Sequence, residues 1–261
     1  MNISQKANIL GILTIFIWSG TTIVMVMLKQ LPVMQFLFCI MFLVSSTGIV
    51  ILKFKKKSFR LVFDVPKTLI FICVFGILVN YLFYFLALQN APAREVNLIN
   101  YLWPLMIVIF VAFLPRGKFS IPHFIGALFG LSITFWIISK DGINFEWKYL
   151  DGYIYVFLGA FTWSVYSVLL KLYDNISTFS VSLFSFIVGV ISLVLHLIYE
   201  TTYIPNLKEL FFIFYMGIVN IGGGIYMWDY AMKRGNQSFL AMLSYSIPIL
   251  STLWLVIFNI K

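Results

Sequence analysis

Acidic residues, histidine and cysteine are scarce in this sequence, and each shortage removes a class of function. The 261 residues include nine Asp or Glu, two His and two Cys. Cys39 and Cys73 lie inside apolar runs and form no C-x-x-C pattern, so we predict neither a structural disulfide nor a cysteine metal site. His123 and His196 stand without a second histidine, so we interpret both as packed residues and predict no metal.

Clusters of catalytic residues are also missing. An intramembrane enzyme needs acidic, His or nucleophile clusters, and no Ser/His/Asp or paired-carboxylate arrangement occurs. Gly222-Gly223-Gly224 resembles a phosphate-binding loop in composition alone, because no Gly-Lys-Ser/Thr follows it. We therefore predict no enzyme and no cofactor. Glycines in a membrane helix allow close approach or bending, so Gly223 is predicted to be a helix hinge.

Charged residues are few, and apolar residues dominate. Only 10% of the residues are charged and 62% are hydrophobic, whereas soluble domains have roughly a quarter charged residues and under half apolar ones. Mean hydropathy is +1.00. These values predict an all-α polytopic membrane protein that contacts the lipid bilayer. The net charge of +9 does not indicate nucleic acid binding, because the basic residues lie between apolar runs, where they set topology.

Nine apolar windows alternate with short connections, and each is close to the ~20 residues that a spanning helix requires. They cover residues 8–28, 33–52, 67–89, 95–114, 122–139, 152–172, 178–199, 209–231 and 237–259. We interpret the first window as an uncleaved helix. With the N-terminus in the cytoplasm, 12 Lys or Arg lie inside and 6 outside, and this excess predicts that orientation.

Three short segments of the first half recur in the same order in the second half. The offset is 144 or 145 residues, and the pairs are Phe16–Ser19 with Phe161–Ser164, Ala87–Gln89 with Ala231–Lys233, and Tyr101–Pro104 with Tyr245–Pro248. A near-constant offset indicates an internal duplication. The first copy holds five spans, an odd number, so the second copy must enter the membrane inverted, as in many secondary transporters.

The duplication divides the chain into two units. The first repeat is predicted over residues 1–140 with five spans, and the second over 152–261 with four. By the same offset, a tenth span is expected to begin near residue 265, beyond Lys261. The expected fold is thus an inverted repeat of five-helix units with nine spans present.

The fourth window carries polar residues at helical spacing. Asn97, Asn100, Tyr101 and Pro104 stand at i, i+3, i+4 and i+7, so one helix would stack them on one face. Side-chain amides are costly in hydrocarbon unless they meet partners or a wet cavity. Hydrogen bonding between helices is one explanation. A solute site at the middle of the membrane is the other.

Aromatic residues in the middle of the windows predict a cavity lined by rings. The candidates are Trp18, Tyr81, Tyr84, Tyr101, Trp103, Trp163, Tyr166, Tyr226, Trp228 and Tyr245. Interfacial belts would place Trp and Tyr at span ends. Ring faces stack on flat apolar groups and attract ammonium ions, although simple packing would explain about half of the set. Asp229 is predicted to be an ion-coupling site, with neutralisation by Lys233 or Arg234 as the alternative.

Several segments resemble the drug/metabolite transporter (EamA) superfamily, and within it the YddG-type aromatic amino-acid exporters. They are Glu95–Pro104, Gly159–Trp163, Gly235–Asn236 and Tyr245–Ser251. The resemblance implies ten helices in two inverted repeats in a bacterial inner membrane, a central cavity, and export of aromatic and other neutral amino acids. By position it implies site residues at Trp18, Tyr81, Tyr84, Asn100, Tyr101, Trp103 and Trp163.

The sequence therefore predicts a secondary transporter that exports neutral, aromatic amino acids by alternating access. Tyr101 and Trp163 would flank the substrate, Asn100 would bind its polar end, and Pro104 and Pro248 would let two spans bend. The other predicted substrate-binding residues are Trp18, Tyr81, Tyr84, Asn97, Trp103, Tyr166, Trp228 and Tyr245. A homodimer is a further predicted partner. Two alternatives remain open: a multidrug or other metabolite carrier, and a shortened membrane protein without transport.

Overall fold

The computed structural model describes residues 1–28, 30–115, 117–140 and 142–257, and within them the chain is helical without any strand. Its helices are α1 (Ile3–Ser19), α2 (Thr21–Met27), α3 (Val33–Phe54), α4 (Arg60–Phe63), α5 (Lys67–Asn90), α6 (Ala93–Asn100), α7 (Trp103–Phe110), α8 (Ile121–Ser139), α9 (Leu150–Leu169), α10 (Val181–Tyr199), α11 (Leu207–Tyr215), α12 (Gly224–Arg234), α13 (Gln237–Ser244) and α14 (Ser246–Ile257). A π-helical segment, Met216–Gly223, joins α11 to α12.

Seven helical stretches in the described residues are long and apolar enough to cross a membrane. They are Val33–Phe54, Lys67–Asn90, Ala93–Phe113, Ile121–Ser139, Trp147–Tyr173, Thr178–Tyr199 and Leu207–Arg234. Each coincides with one of the predicted windows. The first and ninth windows are not among the seven; each falls on a pair of helices, divided at Gly20 and at Tyr245. The count of nine spans therefore stays a prediction.

The ends of the first and last windows differ from the prediction for identifiable reasons. The first helix begins at Ile3 rather than residue 8, because the side chain of Asn2 accepts a hydrogen bond from the Gln5 amide and the Gln5 side chain accepts one in return. Such a capping box extends a helix into its polar flank. In the last window, residues 258 and 259 lie outside the described residues.

Proline and asparagine start several of the helices. Pro32, Pro66 and Pro92 precede α3, α5 and α6 as their N-caps. Asn206 and Asn236 cap α11 and α13 by accepting hydrogen bonds from backbone N–H groups of the first turn. The asparagine side chains satisfy a free N–H group at the start of a helix, and proline has no N–H group that needs a partner. The helices can therefore begin directly after short connections.

The helices of the two halves pack against each other in a regular pattern. The most extensive contacts join α5 with α9, α3 with α10, and α1 with α12, and α7 also packs on α13. In window order these pairs are third with sixth, second with seventh, first with eighth, and fourth with ninth. Exchanging the halves converts the first of these pairs into the third and leaves the other two unchanged.

Large apolar side chains cover much of the outer surface of the helices. Phe71, Phe129, Leu197 and Phe211 are each more than three-fifths exposed. A water-soluble protein rarely leaves so many large hydrophobic residues exposed together. This surface suits hydrocarbon, in agreement with the membrane assignment from composition.

Candidate functional site

Five aromatic residues from both halves form one continuous cluster. Trp18 packs against Trp163 and Trp228, with ring centroids 5.9 Å and 5.3 Å apart. Trp103 lies 5.8 Å from Trp228, and Tyr166 lies 5.2 Å from Trp163. Edge-to-face and tilted contacts at these separations stabilise aromatic packing. Trp18, Trp103, Trp163, Tyr166 and Trp228, from α1, α7, α9 and α12, are therefore brought together. Tyr226 of α12 lies elsewhere, because its hydroxyl is bound to Ser182 Oγ at 2.7 Å and donates to the Val44 carbonyl at 3.1 Å.

The cluster has a buried floor and a more accessible part. Trp228 and Tyr166 are 0% and 1% exposed, whereas Trp18 is half-buried. The Trp228 indole Nε1 donates to Ser167 Oγ at 3.1 Å, which satisfies its polar atom. Trp228 and Tyr166 were predicted to bind substrate, but in this conformation both are buried and pack against the other rings of the cluster. Their direct contact with a substrate stays a prediction.

The polar face predicted for the fourth window is divided between two helices. Asn97 and Asn100 lie in α6, Tyr101 lies in the turn that follows, and Pro104 begins the next helix, α7. The prediction that one continuous helix stacks all four residues is therefore wrong, because the helix breaks at Tyr101 and Leu102.

Two amides of this segment have different environments. The Asn97 Oδ1 accepts a hydrogen bond from Tyr84 Oη at 2.7 Å, so Asn97 joins α6 to α5. The Asn100 side chain is half-buried and makes no hydrogen bond with the described residues. An amide left without a partner in an apolar region is available to a ligand or water. Tyr81 and Tyr101 also retain accessible surface beside the core.

The breaks in the fourth and ninth windows touch each other. Tyr245 stands at the break between α13 and α14, and its hydroxyl donates to the backbone carbonyl of Tyr101 at 2.9 Å. Tyr245 is buried. Pro104 and Pro248 lie in the first turns of α7 and α14, where the missing N–H of proline is tolerated. The location of both prolines next to a break is compatible with their predicted hinge role.

The π-helical segment contains the third predicted hinge residue, Gly223, at its end. A Cβ on Gly222 would overlap the carbonyl oxygen of Gly217, so the wide turn requires glycine there. π-helical turns are rare and occur often at functional sites. The glycine triplet predicts a bend but not that the bend is a π-helical turn.

Asp229 forms an ion pair inside the protein. Lys233 Nζ lies 2.9 Å from one carboxylate oxygen and 3.0 Å from the other, and both side chains are fully buried. In this structure Lys233 therefore neutralises Asp229, which was one of the alternatives that the sequence left open. The pair follows directly after Trp228 on α12.

His196 has an acidic neighbour, Glu200, one helical turn further along the chain. Its Nδ1 lies 2.9 Å from a carboxylate oxygen of Glu200, and its Nε2 lies 3.0 Å from the Thr202 hydroxyl. The same carboxylate accepts from the N–H groups of Met34 and Gln35 at the start of α3. The pair is thus a structural link between elements. Among the described residues, no group of three or more His, Cys, Asp or Glu is placed to hold a metal.

Apolar spanning helices around a buried aromatic and amide cluster define an integral membrane protein of the transporter class. The sequence matches the EamA-like transporter family over residues 5–139 and 150–260. A solved crystal structure superposes on 99% of this chain and 90% of its own, with a TM-score of 0.93 and 31% identity. The chain belongs to the EamA-like transporter family.

Curated relatives include proteins named aromatic amino acid exporter YddG. The one from Ancylobacter novellus is 38% identical over 184 residues, which are 70% of this chain and 64% of the relative. The one from Salmonella typhimurium is 24% identical over 182 residues, which are 64% of this chain and 59% of the relative. The aligned part thus spans less than two thirds of these relatives. The chain is a multi-pass membrane protein of a transporter family.

Proposed function

We propose that this protein exports neutral, aromatic amino acids across a bacterial inner membrane. The observation that carries the proposal is the half-buried Asn100 amide, which has no hydrogen-bond partner among the described residues. It lies next to Tyr101 and three residues before Trp103 of the aromatic cluster. Rings stack on a flat side chain, and the amide hydrogen-bonds the polar end of an amino acid. The names of the YddG relatives support the same substrate class.

Alternating access by two inverted repeats is the proposed mechanism. The family match falls in two segments, 5–139 and 150–260, which support the two predicted units. The packing supports two related halves, because exchanging them converts the third–sixth window pair into the first–eighth and keeps the second–seventh and fourth–ninth pairs. Two hydrogen bonds agree as well: Thr14 Oγ1 donates to the Gly224 carbonyl at 3.5 Å, and Asn80 Nδ2 donates to the Gly159 carbonyl at 3.0 Å. Under the repeat offset, Thr14 corresponds to Gly159 and Asn80 corresponds to Gly224, so the two hydrogen bonds join equivalent pairs of positions.

Orientation, coupling and assembly complete the proposal. The excess of Lys and Arg in the predicted inner connections supports a cytoplasmic N-terminus. Asp229 is proposed to couple transport to a cation or proton, with Lys233 as its partner in the unloaded state. A homodimer stays a prediction.

Counterflow of labelled phenylalanine into proteoliposomes tests the substrate and the site together. Trp163→Ala removes a ring at the centre of the cluster, so we expect at least a tenfold loss of uptake with unchanged membrane insertion. Trp136→Ala is the matched control, because Trp136 is about three-fifths exposed on the outer surface. Uptake by the wild type that survives in Trp163→Ala would refute the site. Competition by organic cations but not by phenylalanine would refute the substrate class and favour a multidrug carrier.

A further inference from the structure

Asn220, in the middle of the π-helical segment, makes two hydrogen bonds to the first window. Its side chain is fully buried. Its Nδ2 donates to the Ile17 carbonyl at 2.8 Å, and its Oδ1 accepts from Thr21 Oγ1 at 2.8 Å. Both partners lie on the same neighbouring segment, on either side of Gly20. The amide therefore spans the point where α1 ends and α2 begins.

The break at Gly20 changes which groups donate hydrogen bonds to the Ile17 carbonyl, and Asn220 is one of them. In a continuous α-helix, the Ile17 carbonyl would accept from the N–H of Thr21, four residues on. Here the Gly20 N–H donates to Ile17 at 3.2 Å, in the tighter 3-10 pattern. The Asn220 amide supplies a second donor to the same carbonyl. A buried amide in an apolar region must be satisfied, and Asn220 has partners for its donor and its acceptor.

Trp18 lies between the two partners of Asn220 and belongs to the aromatic cluster. Its ring packs on Trp163 and Trp228. Directly after the π-helical segment, α12 begins so close to Trp18 that a Cβ on Gly224 would overlap the indole nitrogen. The position of the Trp18 ring is thus limited by the start of α12, which follows the segment that Asn220 fastens to α1.

We propose that Asn220 is a positioning residue for the transport site: it fixes the orientation of Trp18 by fastening the break in α1 and α2 to the π-helical segment. This inference rests on the proposed function. Asn220 is too deeply buried to touch a substrate in this conformation, so its effect passes through Trp18. It therefore acts on the selectivity for flat side chains rather than on transport in general.

The test compares phenylalanine with methionine, a neutral amino acid without a ring. Thr21→Val removes the hydroxyl while keeping the shape of the side chain, and Thr21→Ser keeps the hydroxyl and serves as the conservative control. Asn220→Leu removes both hydrogen bonds. KM and the maximal rate are measured by counterflow, at equal amounts of inserted protein.

We expect Asn220→Leu to raise the KM for phenylalanine at least tenfold and that for methionine less than threefold, with maximal rates within threefold of wild type. Thr21→Val should change the same ratio in the same direction, and Thr21→Ser should not. Equal increases for both substrates, or identical results for Thr21→Val and Thr21→Ser, would overturn the positioning role. Absence of uptake of either substrate by the wild type would instead refute the proposed function, and the role of Asn220 with it.

Discussion

At the scale of single residues, burial makes the Asp229–Lys233 pair costly to alter on one side only. Both charges are removed from water, and their mutual attraction offsets that cost only while both are present. The sequence identified Asp229 as a candidate because acidic residues are rare inside apolar windows. It did not predict the complete burial of Lys233, because a lysine near a helix end ordinarily extends its ammonium group to the interface.

Asp229→Asn should lower stability, because it leaves the Lys233 ammonium buried without a counter-charge. The expected loss is about 3 to 5 kcal/mol, a cost typical of breaking a buried pair. The double variant Asp229→Leu/Lys233→Met should regain most of it, since apolar residues need no partner. Thermal unfolding in detergent measures both effects.

Equal stability of Asp229→Asn and wild type would contradict the importance of the pair. If Asp229 also couples transport to protons, the double variant should retain phenylalanine counterflow and lose its response to a pH gradient. An unchanged response would leave Asp229 as a structural residue.

At the scale of elements, hydrophobic runs predicted where helices lie but not how they are interrupted. The windows 33–52 and 178–199 coincide with α3 and with the stretch Thr178–Tyr199 to within two residues, because polar or proline residues bound them. The break at Gly20 was missed, since a single glycine is tolerated in a helix. Asn220 was missed as well, because its partners are some 200 residues away and no local pattern records them.

The candidate site was predicted in the same partial way. Aromatic residues in the middle of windows identified Trp18, Trp103 and Trp163, which meet directly or through Trp228. The division of the cluster into buried rings and the half-buried ring of Trp18 depends on the packing of whole helices. The roles of Tyr245 and Asn97 depend on hydrogen bonds to other elements, and the side-chain spacing alone left those open.

The π-helical segment gives a prediction for a pair of adjacent glycines. Gly222→Ala should destabilise the protein strongly, because the new methyl group overlaps the Gly217 carbonyl oxygen. Gly223→Ala is the matched control, since its methyl would lie at an ordinary 3.6 Å from the Ile218 carbonyl oxygen. Thermal unfolding should show a lower midpoint for the first variant alone. Equal midpoints would mean that the segment readily reverts to an ordinary α-helix.

At the scale of the whole molecule, the two halves are joined through windows that the predicted repeat relates to each other. α3 of the second window packs on α10 of the seventh, and α7 of the fourth window packs on α13 of the ninth. Under the proposed mechanism, the second conformation arises when one repeat rocks against the other and the halves adopt each other's arrangement. Contacts between equivalent windows would then persist in both states, while their details would be exchanged.

The Tyr101 and Tyr245 hydroxyls should therefore favour opposite conformations. Here Tyr245 donates to the Tyr101 carbonyl, and the exchanged state would have Tyr101 donate to the Tyr245 carbonyl. A hydrogen bond contributes about 1 kcal/mol, so Tyr245→Phe should reduce the population of the present state about fivefold relative to the other, and Tyr101→Phe should raise it by a similar factor.

Distances between spin labels at Ser58 and Asn175, exposed in two connections on one side of the molecule, would measure these populations. The double variant should return close to the wild-type ratio. A shift in the same direction for both single variants would contradict the exchange.

The tyrosine bond has a consequence for how closely the two halves can ever resemble each other. A hydrogen bond has a donor end and an acceptor end, so a single one placed between equivalent residues cannot be shared evenly. Even two identical halves would have to choose which hydroxyl donates. Under the proposed alternating access, the two choices of donor would mark the two states, so a difference in sequence between the halves need only favour one of them.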